Sequence, residues 1–103
     1  MAVEVSGRLD MSSAHQLEDE LEALFAGGDR RIALDATGLD YLSSAGLRSI
    51  LVAARKLREE GGSLVVIGLT GPVKEVFEMS GLGGVLDTYS TDRDLLAARP
   101  DWA

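Results

Sequence analysis

Hydrophobic positions along this chain follow two rhythms. "AVEVS", residues 2–6, places Val3 and Val5 on one face, the period of a strand, and "GRLD" then reads as a turn. Leu17, Leu21, Leu24 and Phe25 recur at spacings of three and four and predict a helix. Ser12 or Ser13 can cap it, and Ser13 with Gln16 has capping-box spacing. Gly27-Gly28 ends it, because glycine adopts the left-handed cap at little cost. "RIALDA", residues 31–36, is a second strand centred on Ile32 and Leu34, and "TGLDYL" leads onward. Leu47, Ile50, Leu51, Ala54 and Leu57 then mark a second helix. Its other face carries Arg48, Arg55, Lys56, Arg58 and Glu59, and Gly61-Gly62 stops it.

"SLVVIG" is a continuous apolar run, suited to a strand covered on both faces. "TGPVKEVFEMSG" predicts a short helix with Pro72 near its first position and Val73, Val76 and Phe77 inward. "GGVLDTYS" predicts a fourth strand, and "TDRDLLAAR" a last helix with Thr91 and Asp94 as a capping box and Pro100 as its limit. Strand and helix thus alternate four times. The expectation is an α/β fold: one domain over residues 1–103, a small, mostly parallel four-stranded sheet with right-handed crossovers, and about four helices.

The 46% hydrophobic fraction supports a real core, built mostly from aliphatic residues because only 5% is aromatic. A formal net charge of -7 argues against nucleic acid and anionic membranes as direct partners and favours a partner with a basic face. With no cysteines, disulfides, thiol catalysis and thiolate metal sites are excluded. No stretch approaches the roughly 20 apolar residues of a membrane span, and the N-terminus has no signal-peptide pattern. The expected location is the cytoplasm.

Candidate chemistry concentrates in "DYLSSAGLRSIL", residues 40–51. Two adjacent hydroxyls, Ser43 and Ser44, stand where one cap is needed. A helix start is also a natural anion site, and an attached phosphate would be well accommodated there. Spacing alone favours a plain cap. Asp10, Asp35 and Asp40 are read at or after strand ends, where an acidic cluster could hold a divalent cation or form a phospho-aspartate receiver. A receiver would need a lysine after the third strand, where Gly68 and Leu69 stand, which counts against it, and a turn-forming role is favoured for Asp35. His15, the only histidine, has no partners for a zinc site or a triad. "GLGG", residues 81–84, lacks the ending of a phosphate loop and precedes a strand. No metal site and no cofactor are expected.

"DYLSSAGLRSIL" resembles the signature of STAS domains, specifically bacterial anti-sigma-factor antagonists. "SGRLD" resembles their Gly-x-Leu-Asp turn, and "GGSLVVIGLTGPVKEVFEMSGL" resembles their third strand and following helix. The resemblance covers nearly the whole chain. It implies a non-enzymatic partner switch: the unmodified protein binds an anti-sigma factor that is also a serine kinase, and the sigma factor is freed. Phosphorylation at the position matching Ser44 ends the complex, and a PP2C-like phosphatase restores it. Asp10 matches the family aspartate beside that serine, with Ser43, Ala45 and Gly46 around it and Leu47 and Arg48 facing the partner. Ser43 stands where Asp is common, Ala45 where Ser or Thr is frequent, and Arg48 where small or uncharged residues are usual. The family's usual extra N-terminal strand is not expected in this chain. The alternatives are a structural STAS subunit of a transporter or lipid-transport complex, and a small anion- or nucleotide-binding domain.

Overall fold

A computed structural model describes residues 2–80 and 86–102. The element order is β1 (Ala2–Leu9), α1 (Ala14–Ala26), β2 (Arg31–Leu42), α2 (Ser44–Glu59), β3 (Ser63–Ile67), α3 (Gly71–Met79), β4 (Asp87–Tyr89) and α4 (Asp92–Ala98), with a 3-10 turn at Pro100–Trp102. The strands form one sheet in the order β1-β2-β3-β4, and each neighbouring pair is parallel. This is the expected α/β architecture. When strands are added in sequence order by crossovers of one hand, the connecting helices fall on one face. α1, α2 and α3 accordingly share a core with Val3, Leu9, Ile32, Leu34, Leu64 and Val66. α4 follows the last strand and covers the opposite face, where Leu95 packs with Ala33, Val65 and Ile67. β3 is therefore buried on both faces, and Leu64, Val65, Val66 and Ile67 are all buried.

The C-terminal segment is tied to the sheet by polar contacts. Arg31 donates to the Asp101 carbonyl at 2.6 Å, and Arg99 donates to the Tyr89 hydroxyl at 3.1 Å and pairs with Asp87. Among the described residues, no helix is long and apolar enough to cross a membrane.

Three local expectations are corrected. "GRLD" does not turn the chain at once, because β1 runs through Leu9 with Gly7 at φ +71°. β2 does not end at Ala36. It continues to Leu42 with β1 beside it, and the register slips between Glu4 and Ser6 and between Gly7 and Arg8. Each slip gives β2 one extra residue, so its buried positions pass from Ile32, Leu34 and Ala36 to Leu39 and Leu42. Period two becomes period three, which looks like a loop in the sequence. Asp35 and Asp40 consequently lie inside β2 rather than at a strand end.

Two further corrections are smaller. Val76 is exposed, while Val73 and Phe77 bury α3. The Ser13–Gln16 capping box does not form, because the Ser13 hydroxyl bonds the residues before it. By contrast, the Thr91 hydroxyl does cap α4, accepting from the Asp94 N–H at 3.1 Å. The fourth-strand reading begins, and "GLGG" lies, outside the described residues, although β4 itself is present at Asp87–Tyr89.

Candidate functional site

The β1–α1 and β2–α2 junctions meet at one end of the sheet, because parallel neighbouring strands deliver both helices from the same edge. Leu9 and Leu42, the last residues of β1 and β2, are register partners. One residue later, the Ser43 N–H donates to the Leu9 carbonyl at 2.9 Å. This bond places the residue after Leu9, which is Asp10, beside the start of α2.

Gly46 makes the approach close enough. A Cβ built there would lie 2.8 Å from both the Leu9 carbonyl oxygen and Leu9 Cγ, and 3.0 Å from Leu42 Cδ1. Only a residue without a side chain leaves room for β1 against the first turn of α2.

The two serines divide their work. Ser43 is extended, at φ -92° and ψ 171°, and its hydroxyl accepts from the Gly46 N–H at 3.2 Å. Ser43 is therefore the N-cap. Ser44 is the first helical residue and is exposed. Ala45 and Leu47 are half-buried, Gly46 is buried, and Arg48 is exposed one turn along from Ser44.

Asp10 is occupied by its own loop. Its Oδ1 accepts from the Ser12 hydroxyl at 2.7 Å, from the Ser12 N–H at 3.0 Å and from the Ser13 N–H at 3.3 Å. Arg8 Nε lies 3.5 Å from its Oδ2. The Ser12 hydroxyl, helped by the Ser12 and Ser13 N–H groups, holds the Asp10 carboxyl below the usual carboxylate range, while desolvation opposes this. Ser13 completes the loop, accepting from the Asp10 N–H at 2.9 Å and donating to the Arg8 carbonyl at 2.8 Å.

Several neighbouring contacts escaped the sequence reading. The Arg8 guanidinium lies 4.1 Å from the centre of the exposed Tyr41 ring, its register partner on β2. The buried Ser49 hydroxyl reaches the Glu18 carboxylate at 2.6 Å, linking α2 to α1. A serine within an apolar helix face, facing a carboxylate on the previous helix, is the only signal of that bond in the sequence. Leu9 was missed because its role here belongs to its carbonyl.

The other candidates separate from this cluster. Asp35 accepts from the Thr37 N–H at 3.0 Å within β2, and Asp40 is exposed. His15 lies 3.8 Å from Glu18 on the exposed side of α1. No group of three or more His, Cys, Asp or Glu capable of holding a metal occurs among the described residues.

The family model described as "Mlab, STAS domain" matches residues 1–88. A protein of Bordetella bronchiseptica, BtrV, named as a candidate anti-sigma factor antagonist, is 48% identical over 94 residues, covering 91% of this chain and 81% of its own. The chain belongs to the STAS family, among the anti-sigma factor antagonists. The crystal structure of an anti-sigma factor antagonist from Mycobacterium paratuberculosis is 30% identical, with a TM-score of 0.83, and covers 95% of this chain and 84% of that one. The fold is also that of SpoIIAA in its unphosphorylated form, at 23% identity and a TM-score of 0.79, covering 96% of this chain and 87% of that one. SpoIIAA has also been solved in a phosphorylated form. In this STAS domain, the signature segment is the junction in which Leu9, Ser43 and Gly46 interlock and Ser44 is left at the surface.

Proposed function

We propose that this protein is a partner switch set by phosphorylation of Ser44. Unmodified, it binds an anti-sigma factor with serine kinase activity and so frees a sigma factor. The kinase phosphorylates Ser44, the complex separates, and a PP2C-like phosphatase resets the protein. The switch acts in the cytoplasm by binding, without catalysis of its own. The observation that carries this reading is the division between the serines: Ser43 caps α2, and Ser44 is exposed at the first position of a 16-residue helix.

The physical consequences follow from that position. A phosphate on Ser44 brings about -1.5 to -2 charge to a helix N-terminus, whose free N–H groups and dipole favour an anion, so the domain tolerates it without refolding. A docked partner does not tolerate it unless it supplies a cation, because the phosphate must otherwise be desolvated unpaired. A penalty of about 4 kcal/mol is roughly a thousandfold in affinity. Asp10 acts by fixing the shape of the β1–α1 loop, with its carboxylate directed to Ser12 and Ser13. Leu47 and Arg48 lie on the surface leading away from Ser44 and belong to the docking face.

The test is to recover the protein with its partners from its native cell and then measure their affinity for two forms: unmodified protein, and protein carrying phosphoserine at position 44. Recovery of a kinase-like ATPase, with a loss of affinity of a hundredfold or more on phosphorylation, supports the switch. Recovery of a permease or membrane ATPase whose binding ignores the phosphate contradicts it. That second result is the signature of a permanent STAS subunit in a transporter.

A further inference from the structure

α1 and α2 lie side by side on the core face of the sheet and run in the same direction, since each leaves the same end of a parallel strand. Their outer surfaces carry opposite charge. α1 presents Asp19 and Glu22, while the Glu18 carboxylate is turned to Ser49 of α2. α2 presents an outward row at spacings of four, three and four, Arg48, Val52, Arg55 and Glu59, and Lys56 beside it pairs with Glu22 of α1 at 3.5 Å. Between the helices runs a cleft of about 210 Å³ floored by Leu21, Phe25, Ala53 and Leu57, with Val52 at its rim. Val52 is 58% exposed in the middle of α2, where helices of this amphipathic kind ordinarily place a polar residue.

We propose that this face binds a second copy of the chain. The charge pattern selects the arrangement. A two-fold axis across the helices would set α1 on α1 and α2 on α2, acid on acid and base on base. A two-fold axis parallel to the helices sets α1 of each protomer on α2 of the other, acid on base twice over. Because the helices run in one direction, residues at equal offsets from their starts come level. Asp19, five residues after Ala14, then lies near Arg48 of the other protomer, four residues after Ser44. Glu22, which pairs with Lys56 of its own chain, comes level with Val52 and Arg55 of the other protomer. The Val52 side chains enter the apolar clefts near the axis, and both Ser44 positions emerge at the same end of the dimer.

The face is small. Helices of 13 and 16 residues are about 20 and 24 Å long at about 1.5 Å per residue and about 10 Å wide, so the pair offers roughly 450 Å² per protomer, the lower end of specific interfaces. The dimer therefore forms and dissociates with concentration. It also covers Arg48, so self-association and docking at the Ser44 end compete for one side chain.

The proposal is tested by sedimentation of the unmodified full chain from about 1 µM to 1 mM, with circular dichroism to confirm folding. Wild type shifts from monomer to dimer across this range. Val52→Lys raises the dissociation constant at least tenfold, and its exposure leaves the fold intact. Asp19→Arg raises it several-fold, and the double variant Asp19→Arg with Arg48→Asp recovers most of the loss. A wild-type chain that stays monomeric at 1 mM overturns the proposal and leaves the cleft to a different protein. A dimer indifferent to Val52→Lys, or a charge exchange without recovery, places the contact elsewhere and overturns it equally. None of these readings involves phosphorylation, so the Ser44 switch stands or falls separately.

Discussion

The tripeptide Ser-Ser-Ala occurs twice, at residues 12–14 and 43–45, and both copies introduce a helix from the same end of the sheet. The structure treats them differently. In the first copy both hydroxyls face backward: Ser12 donates to Asp10, and Ser13 bridges the Asp10 N–H and the Arg8 carbonyl. α1 has no side-chain cap. In the second copy Ser43 caps α2, and its backbone N–H joins the Leu9 carbonyl, leaving Ser44 at the surface. The difference lies in the residues before and after. Asp10 supplies an acceptor that draws in the first pair, and Gly46 lets the second helix approach β1 closely enough to dock. Identical serines thus become a loop clasp in one place and an exposed hydroxyl in the other.

The strongest way to break this contrast is Gly46→Ala. The new methyl would meet the Leu9 carbonyl oxygen at 2.8 Å, a backbone atom that cannot swing aside. A loss of about 1–3 kcal/mol is expected, read as a lower urea midpoint with an unchanged m-value. Wild-type stability in the variant would mean that the β1–α2 approach is loose. Next comes the cap itself. Ser43→Ala removes the acceptor for the Gly46 N–H and costs about 1 kcal/mol. Ser44→Ala lies outside the cap and is expected to change the same midpoint by less than half as much. Equal losses from the two substitutions would erase the division between the serines.

The first copy is sharpened by acid. The Asp10 carboxyl is held below its ordinary value of 3.8, so its ionised form is favoured in the folded state. A depressed folded pKa contributes stability that is fully present above the unfolded value and is lost as pH falls through the folded one. Asp10→Asn is therefore less stable than wild type near neutral pH, and the two curves converge below about pH 4. A constant gap at every pH would make Asp10 a shape requirement alone. Ser12→Ala, which removes the leading donor, raises the Asp10 pKa in a carboxyl NMR titration.

The smallest effect belongs to Arg48. Its guanidinium lies one helical turn from Ser44 and suits a phosphate, but an exposed pair contributes at most about 1 kcal/mol. Arg48→Ala speeds phosphatase release by a few-fold and weakens partner binding by the unmodified protein, both most visibly at low salt. Identical rates and affinities would reduce Arg48 to plain surface.

The β-α order, the doubly covered β3 and the positions of the helices were legible because period two and period 3.6 are strong over those stretches. The register slips in β2 were not. Each inserts one residue and breaks the alternation, so Thr37 to Leu42 read as a connection although they pair with β1. The Ser13–Gln16 spacing misled because local spacing carries no information about Asp10, whose N–H is a competing donor already bonded to the Ser13 hydroxyl. Ser44 was singled out by motif, whereas its exposure depends on Ser43 taking the cap. That depends in turn on the contact between Leu9 and Gly46, made by residues far apart in the chain.

The most direct measurement is the phosphorylation map of the protein after incubation with the anti-sigma factor kinase recovered alongside it and ATP. Wild type gains one phosphate, located by fragmentation on Ser44. Ser12→Ala and Ser43→Ala keep the label, and Ser44→Ala loses it while remaining folded. Label that survives in Ser44→Ala, or that vanishes only in Ser43→Ala or Ser12→Ala, would contradict the account.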